Sequence, residues 1–112
     1  MPLTVAHVIA LPELRLIVRT RTAPLDREVR WVAVSEHVDP TPWLAADDLL
    51  LTTGMALDLT PAAARAYVGR LGSAGVAGLG FGTGLTHQEV PPGLVEAAEH
   101  AGLPLFEVPE PV

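Results

Sequence analysis

The sequence predicts an α/β fold: a single domain with a mainly parallel sheet of about five strands flanked by helices. Strand-like and helix-like patterns alternate over residues 49–108 in the order strand, helix, strand, helix, strand. Crossover connections of that length pair the strands they join in parallel. Hydrophobic residues make up 49% of the 112 residues, which is enough to bury a core without disulfides, and the chain has no cysteine. We therefore expect one domain over residues 1–112.

The first third of the chain predicts a short helix and two strands. Thr4 can cap a helix that Pro12 ends. Apolar residues and arginines alternate over residues 14–20, a pattern typical of a half-exposed strand. Residues 29–34 predict a second strand, in which Trp31 is expected to lie in the core. Both strands are expected to join the same sheet, in mixed orientation. A single helical turn is expected near the Pro-rich loop that follows.

The rest of the chain predicts two βαβ units. Leu49 to Thr52 is a short buried strand, and Thr60-Pro61 is a helix start with proline at the first helical position. The following helix carries apolar residues at i, i+3, i+4 and i+7, namely Ala64, Tyr67, Val68 and Leu71. Gly75 is expected to end this helix, since glycine commonly follows the last residue of a helix. A strand is predicted at 76–81, a second helix from Pro91 or Pro92 to Gly102, and a last strand at 105–108.

Composition excludes several classes of function. The formal charge of −6 and the absence of lysine argue against a nucleic-acid surface on this chain. Without cysteine there is no thiol catalysis, and the four histidines lack metal-ligand spacing, so we expect no metal and no cofactor. No apolar run approaches the roughly 18 residues needed to span a membrane. The N-terminus lacks the basic flank of a signal peptide, so we expect a cytoplasmic protein.

The candidate site is the edge where the parallel strands end. In open α/β sheets, ligands bind outside the carboxyl ends of the strands, near a switch in strand order. Hydroxyls, glycines and a carboxylate follow the predicted strands there, and Trp43 lies in a nearby loop. The predicted ligand-binding residues are Ser35, Glu36, Trp43, Thr52, Thr53, Gly54, Gly80, Phe81 and Gly82. Since neighbours on extended chain point to opposite sides, only one of the two threonines is expected to face the ligand.

Each of these features also has a purely structural interpretation. Thr52-Thr53-Gly54 is compatible with a strand end and a turn, and Glu36 with a carboxylate that fixes a loop. The glycine-rich run 78–84 lacks both the dinucleotide-binding spacing and the lysine of a phosphate loop, which favours close backbone packing. No nucleophile elbow is present, and Ser35-Glu36-His37 cannot form a triad on extended chain. We therefore predict that the protein is not an enzyme.

These residues resemble a known family. The segments VRWVAVSEHVDPTPWL, LLLTTGMAL, GVAGLGFGTG and EVPPGLVEAAEHAGLPLFEVP are similar in order and spacing to the N-terminal domain of PucR-like purine catabolism regulators. The resemblance extends from about Thr4 to Pro109. Ala46-Asp47-Asp48 departs from the Gly-Gly-Glu usual in the family before the strand. The segment Thr22-Ala23-Pro24 departs from a turn that often contains glycine.

The resemblance implies the regulatory domain of a bacterial transcription regulator whose C-terminal helix-turn-helix region is absent from this chain. It implies a small polar effector of the purine-catabolite or amino-acid and amine class, a homodimer, and DNA binding only through the absent region. Two alternatives stay open. One is a ligand-free dimerisation module of the same regulator, and the other is a nucleotide-binding accessory domain of an enzyme.

Overall fold

The fold is a five-stranded sheet with helices on both faces, seen in a computed structural model that describes residues 3–58 and 60–109. The strands are β1 (Ile17–Val18), β2 (Trp31–Val34), β3 (Asp48–Thr52), β4 (Gly78–Gly82) and β5 (Leu105–Val108). Their order across the sheet is β1-β5-β4-β3-β2. Strands β2 to β5 are parallel, and β1 pairs antiparallel with β5. The predicted α/β class, the mainly parallel sheet and the mixed orientation of the two N-terminal strands are confirmed.

The helices start where the local sequence predicts, and the second and third also end there, whereas the first ends at Ile9, before Pro12. They are α1 (Val5–Ile9), α2 (Pro61–Ser73) and α3 (Pro92–Ala101). At the start of α1, the Thr4 hydroxyl accepts the His7 N–H at 3.2 Å while the Thr4 N–H donates to the His7 ring at 3.1 Å. The Thr60 hydroxyl caps α2 through the Ala63 N–H. Gly75 and Gly102 follow α2 and α3 with φ of +78° and +70°, a conformation that glycine adopts without steric cost.

Two apolar layers cover the sheet, because alternate strand residues point to opposite faces. Leu50, Leu79, Phe81 and Leu105 face α2 and α3 and form the larger core with Tyr67, Val68, Leu71 and Leu94. Leu49 and Phe106 face the other way and pack with Val5 of α1. Both crossover helices lie on one face, since consecutive right-handed connections that proceed in one direction place their helices together.

The strand order excludes one premise of the predicted site. The order runs from β2 to β5 without reversal, so the parallel strands have no switch point where a crevice would open. Any ligand site at the carboxyl ends of these strands must therefore be built by side chains and loops. We call this edge, formed by the residues that directly follow β2, β3 and β4, the rim.

Two details differ from the predicted N-terminal half. Strand β1 is shorter than the predicted 14–20, because Pro12–Leu14 forms a 3-10 turn and Arg15 adopts a left-handed conformation with φ of +52°. Trp31 is not a core residue: it is 67% exposed, because β2 lies at the edge of the sheet. In the same region Arg19, Arg27 and Arg30 form ion pairs with Glu107, Asp47 and Asp48. The predicted helical turn is present at Thr41–Trp43.

None of the helices within residues 3–58 and 60–109 is both long enough and apolar enough to cross a membrane.

Candidate functional site

The rim is organised around the Glu36 carboxylate. Glu36 follows the end of β2, and Thr52 and Thr53 lie at the end of β3, its parallel neighbour. The carboxylate accepts hydrogen bonds from both threonine hydroxyls and from the Thr53 N–H, each at 2.9 Å. We call Glu36, Thr52, Thr53 and Gly54 the corner.

Both threonine hydroxyls reach the same carboxylate, which the alternation of an extended strand does not allow. The strand ends at Thr52, and the chain then turns through Gly54, whose φ is +73°. Thr53 therefore lies outside the extended segment and its hydroxyl turns back toward Glu36. The expectation that only one threonine faces this side is wrong for that reason.

The carboxyl of Glu36 stays ionised at pH values lower than those at which a glutamate usually becomes protonated, because its pKa is lowered. Partial burial raises its pKa, but the hydrogen bonds from the Thr53 backbone and from the Thr52 and Thr53 hydroxyls outweigh burial, and the net effect lowers the pKa. The corner therefore carries a fixed negative charge at neutral pH.

Gly54 closes the corner over the core. Its N–H donates to the Thr52 hydroxyl oxygen at 3.2 Å, and its carbonyl lies 3.3 Å from the His87 Nε2. A Cβ at this position would lie 2.7 Å from the Phe81 ring, so the Phe81 side chain occupies the space directly beneath the glycine. His87 packs against that ring, with centroids 5.5 Å apart.

Tyr67 lies behind the corner with an unused hydroxyl. The side chain projects from α2 into the core, and its hydroxyl has no hydrogen-bond partner among the described residues. Burial raises the pKa of this hydroxyl to about 12, an effect that the nearby Thr52 hydroxyl opposes. A buried hydroxyl without a partner is uncommon in folded proteins, so this side of the corner has spare hydrogen-bonding capacity.

The structure brings together only part of the predicted set. Gly82 lies beside the corner, because a Cβ there would be 3.3 Å from the Thr53 methyl. Gly80, a predicted ligand-binding residue, does not line the corner: it is buried, and its missing side chain makes room for Leu51 and Phe106. Ser35 accepts the His37 N–H instead of facing the corner. Trp43 is exposed and stacks on His37, with centroids 4.3 Å apart.

A second carboxylate is fixed near the end of β5. Glu107 accepts hydrogen bonds from the Thr83 hydroxyl at 2.9 Å and from the Arg19 guanidinium, with which it forms an ion pair. The pKa of the Glu107 carboxyl is lowered, and hydrogen bonding from Arg19 is the largest cause. Burial raises this pKa, and the hydrogen bond from Thr83 lowers it further. The predicted site residues do not include Glu107, Thr83 or His87, because the partners of these three residues are distant in the chain.

An open trough of about 820 Å³ lies between α3 and the segment after β1, away from the corner. Val90 and Val95 contribute apolar surface, and Arg19, Arg21, Glu96 and His100 lie around it. Glu99 bridges to the backbone N–H groups of Arg21 and Thr22 at 2.6 and 2.8 Å, which joins α3 to that segment. Within residues 3–58 and 60–109, no three acidic or histidine side chains converge as a metal site requires.

Comparison with known proteins identifies the class of protein. The sequence profile of the purine catabolism regulatory protein-like family, PucR, matches residues 7–112. The match covers nearly the whole chain, so the chain belongs to this family of transcription regulators, and the resemblance noted from its motifs is confirmed.

The chain is also similar to a particular curated protein, the transcriptional activator PmfR of Paenarthrobacter nicotinovorans. The two are 31% identical over 106 residues, which cover 95% of this chain and 22% of the relative. The chain thus spans less than a quarter of that relative's length. No solved structure matches the chain at a significant level.

Proposed function

We propose that this domain is the effector-sensing part of a PucR-family transcription regulator and that it binds a small, N–H-rich polar metabolite at the corner. The observation that carries the proposal is the ionised Glu36 carboxylate, held at a half-exposed strand end by four hydrogen bonds from Thr52 and Thr53. The proposed role is regulatory rather than catalytic, and a bacterial regulator that acts on DNA would work in the cytoplasm.

The hydrogen-bonding groups of the corner select the chemical class of the effector. The Thr52 and Thr53 hydroxyls already donate to Glu36, and the Thr53 and Gly54 N–H groups are also engaged. Each oxygen of the Glu36 carboxylate already accepts two hydrogen bonds. What is left is acceptor capacity on the Thr53 hydroxyl oxygen, which has room for a further donor, beside the negative charge of the carboxylate. A ligand at this corner must therefore donate hydrogen bonds, as amines, guanidines and ureides do.

Exposed apolar side chains beside the corner support the same proposal. Met55 directly follows the corner, and Leu85 follows the end of β4, the next strand of the sheet. Both are largely exposed. Small-molecule sites combine apolar walls with a few polar groups that fix orientation, and these two side chains supply apolar surface on the rim.

The effector proposal is tested by thermal unfolding of the chain with allantoin, hypoxanthine, arginine and putrescine as probes. A binding probe at one hundred times its Kd stabilises the folded state by about 2.7 kcal/mol. We expect a shift with probes that donate several hydrogen bonds. If none of the four shifts the transition at millimolar concentration, the proposed class is wrong.

The two threonines should then behave differently when each is changed to valine. Thr53→Val removes the hydroxyl with a free acceptor position and should weaken probe binding by about 0.5–1.5 kcal/mol. Thr52→Val removes a buried hydroxyl that pairs with Glu36 and Gly54, so it should lower the free energy of unfolding by about 1–3 kcal/mol. Titration calorimetry and urea unfolding measure the two effects separately.

A variant in the trough serves as the control for the position of the site. Glu96 is exposed and lines the trough, away from the corner. Glu96→Gln should leave probe affinity unchanged. A probe whose affinity falls with Glu96→Gln and not with Thr53→Val binds in the trough, which would contradict the assignment to the corner.

This chain alone is expected not to bind DNA with sequence selectivity. Its net charge is −6, it contains no lysine, and four of its seven arginines are paired with acidic side chains in the structure. The test is titration of the chain with labelled duplex at low salt. Low salt favours binding to DNA most, because the release of counterions from the duplex is most favourable in dilute salt. A selective complex at submicromolar concentration would contradict the expectation.

The alternative function is an assembly module that binds no effector. The observation that favours it is the exposed apolar edge of the sheet at β2, where Trp31, Val32 and Val34 are largely uncovered. The two functions are compatible, since a sensing domain that dimerises can pass a binding event to the rest of the regulator.

A further inference from the structure

The Glu36 carboxylate is partly withdrawn from water and has no cationic partner within residues 3–58 and 60–109. Five acidic residues in those ranges are buried or half-buried. Four of them lie beside an arginine: Asp47, Asp48 and Glu107 in ion pairs, and Glu99 through the Arg21 N–H and charge. The fifth, Glu36, accepts hydrogen bonds from threonine hydroxyls and backbone instead. A glutamate that leaves water is usually paired, so the missing cation points to a ligand.

The sequence leaves no basic side chain at the rim. Residues 31–64 and 71–112 contain no lysine and no arginine, and these ranges include every residue of the rim. Arg65 and Arg70 of α2 lie between them in the chain. Arg70 donates to the Val38 carbonyl at 3.0 Å and pairs with Asp39. Arg65 is exposed and lines a depression between α2 and α3. A cation that meets Glu36 must therefore come from outside these segments.

The hydrogen bonds to Glu36 fix its charge in place without neutralising it. Hydroxyl and backbone N–H groups are dipoles with no net charge, so the corner keeps a full negative charge. The four hydrogen bonds use both acceptor positions of each carboxylate oxygen. A ligand therefore meets the charge of Glu36 through space, while its N–H group donates to the Thr53 hydroxyl oxygen.

The Thr53 hydroxyl sets the distance between that charge and a ligand. Its oxygen lies 2.9 Å from the Glu36 Oε2. A donor nitrogen at hydrogen-bond distance from the same oxygen lies within about 6 Å of the carboxylate. Opposite charges at about 4–6 Å favour each other's charged forms. A neutral N–H donor makes the same hydrogen bond without this attraction, so the corner distinguishes the two kinds of donor.

We propose that the corner selects an organic cation, an alkylammonium or alkylguanidinium group, over a neutral ureide of the same shape. The inference rests on the proposed function, since it concerns the same site. Met55 and Leu85, exposed beside the corner, supply apolar surface for the alkyl chain. Asp58 and Glu89 are exposed on the loops after β3 and β4 and add negative charge to the rim, which favours the approach of a cation.

A matched pair of probes tests the role of charge. N-butylguanidine is a cation at neutral pH, and N-butylurea has a similar shape, donates N–H groups and is neutral. Titration followed by NMR gives the Kd of each probe and shows whether the Thr53 and Gly54 amide signals move. We expect the guanidine to bind about tenfold more tightly, because hydrogen bonds that involve a charged group are the stronger ones. Added salt should weaken the guanidine and leave the urea unchanged.

Two variants with the same change in net charge show where the preference arises. Glu36→Gln should bring the two Kd values to within about twofold, by weakening the guanidine and not the urea. Glu96→Gln is the matched control, because Glu96 is exposed on α3 and lines the trough, and it should keep the full preference. The preference and its salt dependence in the unaltered chain test the inference even if Glu36→Gln does not fold.

The outcomes separate this inference from the effector proposal. Equal Kd values for the two butyl probes, with the Thr53 and Gly54 signals moving, would leave the site in place and overturn its selectivity. A preference that survives in Glu36→Gln would mean that the cation is recognised elsewhere. Among the four probes of the thermal test, arginine and putrescine are cations, whereas allantoin and hypoxanthine are neutral. Binding of the neutral two alone would also overturn the inference, and binding of none would overturn both proposals.

Discussion

Replacing Gly54 by valine is expected to destabilise the domain by about 2–5 kcal/mol, the largest effect predicted for a single substitution here. Two causes act together. A β-branched residue is strained at a φ of +73°, and the added Cβ would lie 2.7 Å from the fully buried Phe81 ring. Because domains of this size are stable by only about 5–15 kcal/mol, urea unfolding should show a clear loss.

Other glycines separate the two causes. Gly102→Val tests the backbone alone, because Gly102 has a φ of +70° and nothing lies within 4 Å of a Cβ there. Gly80→Ala tests crowding alone, since a Cβ would lie 2.5 Å from Leu51 and 2.7 Å from Phe106. Gly69→Ala, at an open helical position, should stabilise by about 0.5–1 kcal/mol. Equal losses for Gly54→Val and Gly102→Val would mean that the Phe81 contact costs nothing.

Glu107→Gln is expected to cost about 1.5–3 kcal/mol at neutral pH, because the change removes the charge from a buried carboxylate that binds Arg19 and Thr83. Glu36→Gln should cost less, since water can reach the half-exposed corner. Glu13→Gln is the matched control because Glu13 is exposed in the Pro12–Leu14 turn. A Glu107→Gln variant as stable as Glu13→Gln would contradict the assigned ion pair.

The same two carboxyls make the domain sensitive to acid. The pKa of each is lower in the folded state than the ordinary glutamate value of 4.5. Such a group stabilises the folded state fully above its unfolded-state pKa, and that stability is lost as the pH falls through the folded-state pKa. The free energy of unfolding should therefore fall progressively below about pH 4.5. The double variant Glu36→Gln/Glu107→Gln should show a shallower loss than wild type, and an unchanged slope would exclude these two groups as its source.

The sequence by itself determined the class of fold and most of the element boundaries. Helix α2 is encoded by Thr60, by Pro61 and by apolar residues at helical spacing, and its end by Gly75. These signals are local, since caps, proline and periodicity act within a few residues. The helical crossover connections are long enough to enforce parallel pairing of β3, β4 and β5. The Thr52-Thr53-Gly54 turn was also visible in the sequence as an abrupt end to an apolar strand.

Only the tertiary structure decided which residues meet, because strand order is not a local property. Placing β2 at the edge exposes Trp31, which its pattern alone predicts to be buried. Parallel pairing brings Glu36 to threonines 16 and 17 positions away, and the antiparallel β1 brings Arg19 to Glu107 across 88 positions. Such contacts depend on the summed burial of two cores and on the order of five strands, and no short segment of sequence specifies either.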